Sequence, residues 1–185
     1  LQRIGVSAVI IEDKKGLKKN SLLGNDVAQS QENIDSFSRK IKTAVLAKVD
    51  PNFMVIARIE SLILEAGMSD ALNRAKAYVL SGADGIMIHS REQIPDEVFH
   101  FSRLFREIFP LIPLICVPTS YNQISEEEIS RNGFNVVIYA NQLLRSAYPA
   151  MYKTASSILQ HGRAFEVDKD LMSIQEILNL IPGTV

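Results

Sequence analysis

Cysteine occurs once in the 185 residues, at Cys116. A disulfide framework and a cysteine-based structural zinc site are thereby excluded, and a reducing, cytoplasmic setting is the default expectation. Net charge is also missing. The 20 Lys and Arg against 21 Asp and Glu leave a formal charge of -1, so no bulk field recruits nucleic acid or an anionic membrane. Apolar runs reach only about six residues, where a bilayer-spanning helix needs roughly 20. No basic segment followed by an apolar one opens the chain as a signal peptide would. Low-complexity tracts and short-period repeats are absent. The first residue is Leu1 rather than Met and a strand-like segment follows almost at once, which suggests a chain cut from a longer one.

What is present is an apolar fraction of 46%, enough for a sizeable core. It falls into short apolar runs: 6–11 (VSAVII), 53–59 (FMVIARI), 84–88 (DGIMI), 111–117 (LIPLICV) and 134–139 (FNVVIY). They do not alternate with polar residues, as strands of a parallel sheet covered on both faces require. Between them the 3.6-residue spacing predicts helices over 30–49, 69–81, 95–109, 125–132 and 142–160. Ser30 or Asn33 caps the first and a Ser-Asp pair at Ser69 opens the second. Gly82 stops that second helix, and acids fill the first turn of the fourth. Five βα units define an α/β fold with a parallel sheet.

Each strand ends on polar residues: Glu12 and Asp13, Arg58 and Glu60, His89 and Ser90, Thr119 and Ser120, and Asn141. In a parallel α/β barrel these ends converge on one mouth, where active sites are built. Taken singly, each residue has a plainer reading. Glu12 reads as a solvated rim charge and His89 as a core histidine bonded to backbone. Cys116 reads as a small buried hydrophobe. Arg58, inside an apolar strand, needs a partner, and Glu60 or Glu12 would serve; an anion clamp is its functional reading. The segment 12–23, EDKKGLKKNSLL, holds four lysines and an Asn-Ser pair. It reads either as a solvated basic loop or as a lid over a phosphorylated, carboxylated substrate.

The motifs EDKKGLKKNSL (12–22), ARIE (57–60), GADGIMIHS (82–90), VPT (117–119) and AN (140–141) occur in one order. Together with HGR (161–163) and SIQEILNLIPG (173–183) they resemble the phosphoenolpyruvate mutase family, of the isocitrate lyase/phosphoenolpyruvate mutase superfamily. The resemblance covers nearly the whole chain and implies a (β/α)8 TIM-type barrel of which strands 4–8 are present. It implies an isomerase, an intramolecular phosphotransferase that interconverts phosphoenolpyruvate and phosphonopyruvate in phosphonate biosynthesis. It also implies Mg2+. Glu12 matches a metal-site glutamate acting through water, and Arg58 and His89 match a substrate-clamping catalytic pair. Lys18 and Asn20 match catalytic positions of a gating loop, with Ser21 and Thr119 as further substrate-binding positions. Isocitrate lyases carry a cysteine in that loop, where this chain has Lys18-Lys19-Asn20-Ser21. Phosphonopyruvate hydrolases typically have threonine at the position of Asn20, so the asparagine points to mutase chemistry.

The family's first three βα units and their metal-binding aspartates precede the point where this chain starts. A complete barrel takes about 250 residues, so the expectation is the C-terminal part of one: residues 1–163 as five βα units and 164–185 as a helical segment. The resemblance further implies exchange of the terminal helix, 173–180, in a homodimer or homotetramer. A phosphonopyruvate hydrolase is the alternative within the superfamily. A non-catalytic fragment or assembly module is the alternative outside it, because five strands cannot close a barrel.

Overall fold

The computed structural model describes residues 1–16, 29–180 and 183. It divides into two units, Leu1–Ala140 and Asn141–Val185. The first is built on a five-stranded sheet, all parallel and in chain order: β1 (Ala8–Glu12), β2 (Met54–Ile59), β3 (Gly85–Ile88), β4 (Leu114–Cys116) and β5 (Val136–Val137). All five expected strands are there. β4 is shorter than its apolar run because Pro113 and Pro118 bracket it, and neither can donate to a ladder.

Four helices connect the strands: α1 (Ile34–Leu46), α2 (Gly67–Leu80), α3 (Asp96–Ile108) and α4 (Glu126–Arg131). Asn33, not Ser30, caps α1, its side chain accepting from the backbone N–H groups of Asp35 and Ser36. Ser69 does not cap α2, which already starts at Gly67. Glu65 turns the chain in the left-handed region (φ 58), and Asp70 is held by Arg74 rather than by the helix end. Ser125 caps α4 by accepting from Glu128 N–H, and Gly82 adopts φ 99 after α2, as the sequence predicts.

The two faces of the sheet differ. One carries Val55, Ala57, Ile59, Ile86, Ile88, Leu114 and Cys116 into a core shared with Phe37 and Ile41 of α1, Ala75 and Tyr78 of α2, and Phe101 and Phe105 of α3. The other carries Ile56, Met87, Ile115 and Val117 into a small cluster of strand residues, with no helix residue among its described members. Side chains alternate between faces along each strand, so Glu12, Arg58 and Glu60 belong to this second face and Asp13 to the helix-covered one.

The turn from α4 into β5 passes through Gly133 at φ 88. A Cβ there would lie 2.8 Å from the hydroxyl of Ser102, which is itself fully buried and donates to Asn132 O at 2.6 Å. Gly133→Ala is therefore expected to cost about 2 kcal/mol, from the left-handed backbone plus the overlap. Equilibrium urea unfolding of the variant measures it.

In the second unit α5 (Gln142–His161) ends at Gly162, and a 3-10 turn, Phe165–Asp170, returns to it with Lys153 Nζ 2.5 Å from Asp170. α6 (Ile174–Asn179) opens on a reciprocal capping box between Ser173 and Glu176. Among the described residues no helix is long and apolar enough to cross a membrane.

Candidate active site

The C-terminal ends of β1, β2 and β3 bring Glu12, Arg58, Glu60 and His89 onto the face whose described cluster holds no helix residue. Glu12 and Arg58 are register partners across β1 and β2. Glu60, two residues beyond Arg58 and so on the same side, is fully buried. Its carboxylate accepts from Arg58 Nε at 2.6 Å and pairs with Lys14 Nζ at 2.8 Å. Lys14 Nζ also lies 3.2 Å from Glu12 Oε1, and Arg58 Nε 3.8 Å from Glu12 Oε2. Two carboxylates and two cations thus alternate, and their charges cancel. Such balance is what makes burial of the Glu60 carboxylate tolerable. The partner that Arg58 requires is chiefly Glu60, with Glu12 more distant.

Lys14 is brought in by a local feature. Past β1 the chain forms an isolated antiparallel bridge from Lys14 to Gln31, and Lys15 N–H donates to Ser30 O at 2.8 Å. The two stems of the intervening segment are thereby held together beside the strand end.

His89 follows β3 and is 5% exposed. Burial, aided by the positive charge of Arg58, pushes its pKa down to about 4, against the opposing pull of Glu60. The imidazole is neutral near pH 7. Its Nδ1 is buried with no hydrogen-bond partner among the described residues, which departs from the expected backbone-bonded core histidine. Ser90 Oγ accepts from Glu92 N–H and donates to Glu97 at 2.6 Å, fixing the turn that presents His89.

This depressed pKa has a consequence for stability. The unfolded histidine titrates near 6.5. As pH falls from there toward about 4, the unfolded chain binds a proton that the folded one does not, so stability present above pH 6.5 is lost through that window. The expected loss is up to about 3 kcal/mol. A urea-midpoint series across that pH range measures it, and His89→Gln is expected to flatten this component.

Thr119 lies past β4, half-buried, with its N–H donating to Val117 O at 2.8 Å. Cys116 is the buried hydrophobe expected, 1% exposed, its thiol pushed up to about 12 by burial. Asn141 belongs to the second unit, immediately before α5. Lys18, Asn20 and Ser21 lie outside the described residues.

Two groups carry more than the sequence suggested. Lys14 bridges Glu12 and Glu60 although its motif reads as a solvated basic stretch. Asp13 is wholly buried on the helix side, where it meets Gln31, Arg74 and Tyr78. Burial pushes its carboxyl upward, and hydrogen bonds from Tyr78, Gln31 and the Glu60 amide oppose the shift.

The described residues hold no group of three or more His, Cys, Asp or Glu side chains able to enclose a metal. Glu12 alone fits a divalent cation in part. Its Oε1 is buried but already faces Lys14 Nζ at 3.2 Å, so the fit rests on carboxylate chemistry alone: Mg2+ commonly binds one or two carboxylates while keeping several waters.

The phosphoenolpyruvate phosphomutase family model matches residues 1–159. A phosphonopyruvate hydrolase from Variovorax sp. (strain Pal2) is 38% identical over 95% of this chain and 60% of its own length. The crystal structure of phosphoenolpyruvate phosphomutase from Streptomyces platensis subsp. rosaceus superposes with a TM-score of 0.89 at 35% identity, over 97% of this chain and 61% of that one. A phosphonopyruvate hydrolase in complex with oxalate and Mg2+ superposes with a TM-score of 0.83 at 36% identity, over 97% and 60%. The chain thus spans about 60% of the length of these relatives, and its parallel sheet corresponds to that part of a TIM-type barrel. On the family-model match, which covers most of its length, the chain belongs to the phosphoenolpyruvate phosphomutase family.

Proposed function

We propose that the whole protein interconverts phosphoenolpyruvate and phosphonopyruvate. The observation that carries this reading is the alternating Glu12–Lys14–Glu60–Arg58 cluster beside a buried neutral His89, on one face at the strand ends. In the forward direction the enol C–O–P linkage breaks at the P–O bond and its electron pair stays on the enolate oxygen. The methylene carbon then takes the phosphorus, forming the P–C bond and restoring the keto group. No proton need move, so the catalyst's task is electrostatic and positional. Arg58, oriented by Glu60, supplies permanent positive charge to the migrating phosphoryl group. His89, being neutral, donates an N–H hydrogen bond rather than a charge. Glu12 would hold Mg2+ through water, and the ion would contribute Lewis-acid stabilisation of the enolate oxygen.

Mutase rather than hydrolase rests on Asn20, a position where the hydrolases that the motif resembles typically have threonine. The relative at 38% identity favours the hydrolase as second reading. Thr119 and Ser21 are proposed as further substrate contacts and Lys18 as a catalytic partner of Asn20. The exposed apolar face of α6, with Ile174, Ile177 and Leu178, supports exchange of this helix in a homo-oligomer.

The whole protein, given phosphonopyruvate and Mg2+, is expected to release phosphoenolpyruvate, read continuously by coupling to pyruvate kinase. Asn20→Ala is expected to lower that rate by at least about 100-fold, on the scale of removing one donor at the reacting group. Normal turnover in that variant would remove Asn20 from the mechanism.

A further inference from the structure

Asp13 is the chain neighbour of Glu12 but points to the other side of the sheet. Its side chain is 0% exposed. Carboxylate Oδ1 accepts from the backbone N–H of Glu60 at 3.0 Å. Oδ2 accepts from Gln31 Nε2 at 2.8 Å, Tyr78 OH at 2.9 Å and Arg74 Nη1 at 3.3 Å. Every one of these partners donates, so the pocket is shaped for a carboxylate and for no amide of the same size.

The partners are themselves fixed. Arg74 Nε donates to Asp70 at 2.8 Å, and its Nη1 also donates to Glu32 O and to Tyr78 OH. Ser61 donates to Asp70 and accepts from Gln31. The Tyr78 ring is fully buried against Phe37, centroids 4.7 Å apart. α2 thus presents a rigid anchor to the back of the sheet.

What the anchor holds is the ground on which the charged cluster stands. The backbone amide pinned by Asp13 is that of Glu60, whose carboxylate orients Arg58 and Lys14 on the opposite face. Asp13 N–H in turn donates to Arg58 O at 3.1 Å, while Asp13 O accepts from Glu32 N–H at 2.7 Å. One side chain and its own peptide groups therefore clip the ends of β1 and β2 to each other and to the returning segment at Gln31–Glu32.

We propose that Asp13, held from behind the sheet by Arg74, Tyr78 and Gln31, is a positioning residue. It sets the spacing of the β1 and β2 ends and so the alignment of Arg58 and Glu60, without touching substrate. This rests on the mutase or hydrolase reading of the mouth, since it needs Arg58 to act on a phosphoryl group. A change at Asp13 acts through Arg58, so its effect vanishes once Arg58 has lost its own alignment. A merely stabilising residue would behave additively.

The test uses the whole protein at a temperature where circular dichroism shows each variant folded. In Asp13→Asn an amide N–H must face donors. Its kcat/KM for phosphonopyruvate is expected to fall about 100-fold, and in the gentler Tyr78→Phe about tenfold. In an Arg58→Lys background the same changes are expected to cost less than about threefold. Undiminished kcat/KM in folded Asp13→Asn or Tyr78→Phe, or full additivity with Arg58→Lys, would overturn the proposal.

Amide hydrogen exchange separates this from failure of the functional reading. Asp13→Asn is expected to speed exchange at Glu60 by about tenfold or more while β4 amides keep their protection. If the parent protein turns over neither substrate, the functional reading fails and exchange decides: unchanged protection at Glu60 refutes the clip.

Discussion

Glu60→Gln, a change of almost no volume, is expected to destabilise the fold by about 3–5 kcal/mol. Glu60 is fully buried and receives both Arg58 and Lys14, whose side chains are themselves only 17% and 7% exposed. With the amide in place, two cations share the single carboxylate of Glu12, which lies 3.2 and 3.8 Å from them. The cost comes from stranding charge in a poorly solvated place, since truncating one partner of a buried pair leaves the other uncompensated. For a chain of this size, the fall in thermal midpoint is on the order of 10 °C. Removing one cation as well separates charge from shape: Lys14→Met added to Glu60→Gln is expected to recover part of the loss. Thermal and denaturant unfolding of the two single variants and the double measure this coupling, and simple additivity would mean that the four groups do not act as a unit.

Arg58→Lys is expected to lower kcat/KM for phosphonopyruvate by roughly two to three orders of magnitude while the protein remains folded. The charge survives but its geometry does not. Arg58 Nε is fixed by Glu60 at 2.6 Å, an attachment that leaves the planar fork in a set orientation. A lysine ammonium is a compact point charge on a flexible stem. It can replace the ion pair with Glu60 or reach toward the phosphoryl oxygens, but cannot reproduce the planar, multi-donor geometry. His89 does not make up the deficit, because burial keeps it neutral at working pH. Steady-state kinetics with circular dichroism as a folding control reads this effect. A loss below about fivefold would mean that Arg58 serves the fold and not the reaction.

How much of this was legible beforehand depends on the distance over which each feature is built. The strands follow from continuous apolar runs, and the cluster on the open face follows in part from spacing. In ARIE, Arg58 and Glu60 are two apart and must share a side of β2. Glu12 joins them because the parallel register sets it opposite Arg58. Asp13 was not legible. Its partners come from positions 18, 61 and 65 residues away, and no local pattern announces a convergence made by α2 and a returning loop. Lys14 was missed for a related reason. In a basic stretch it looks solvated, and only the pairing of Lys14 with Gln31 turns it toward the strand end. The start of α2 moved because two cues conflicted. Ser69-Asp70 has the composition of a cap, but Asp70 is committed to Arg74, and the left-handed turn at Glu65 lets the helix begin earlier.

The phosphorus NMR spectrum of the whole protein incubated with phosphonopyruvate and Mg2+ tests the central claim most directly. It follows every phosphorus-containing species in one sample and needs no coupling enzyme. The account expects the phosphonate resonance to be replaced by the phosphate-ester resonance of phosphoenolpyruvate, and the reverse drift, toward the same final ratio, when phosphoenolpyruvate is supplied. Inorganic phosphate growing in as the primary product, with no ester resonance at any time, would contradict the mutase and assign the mouth to hydrolysis. An unchanged spectrum from folded whole protein would contradict phosphoryl chemistry at this site altogether.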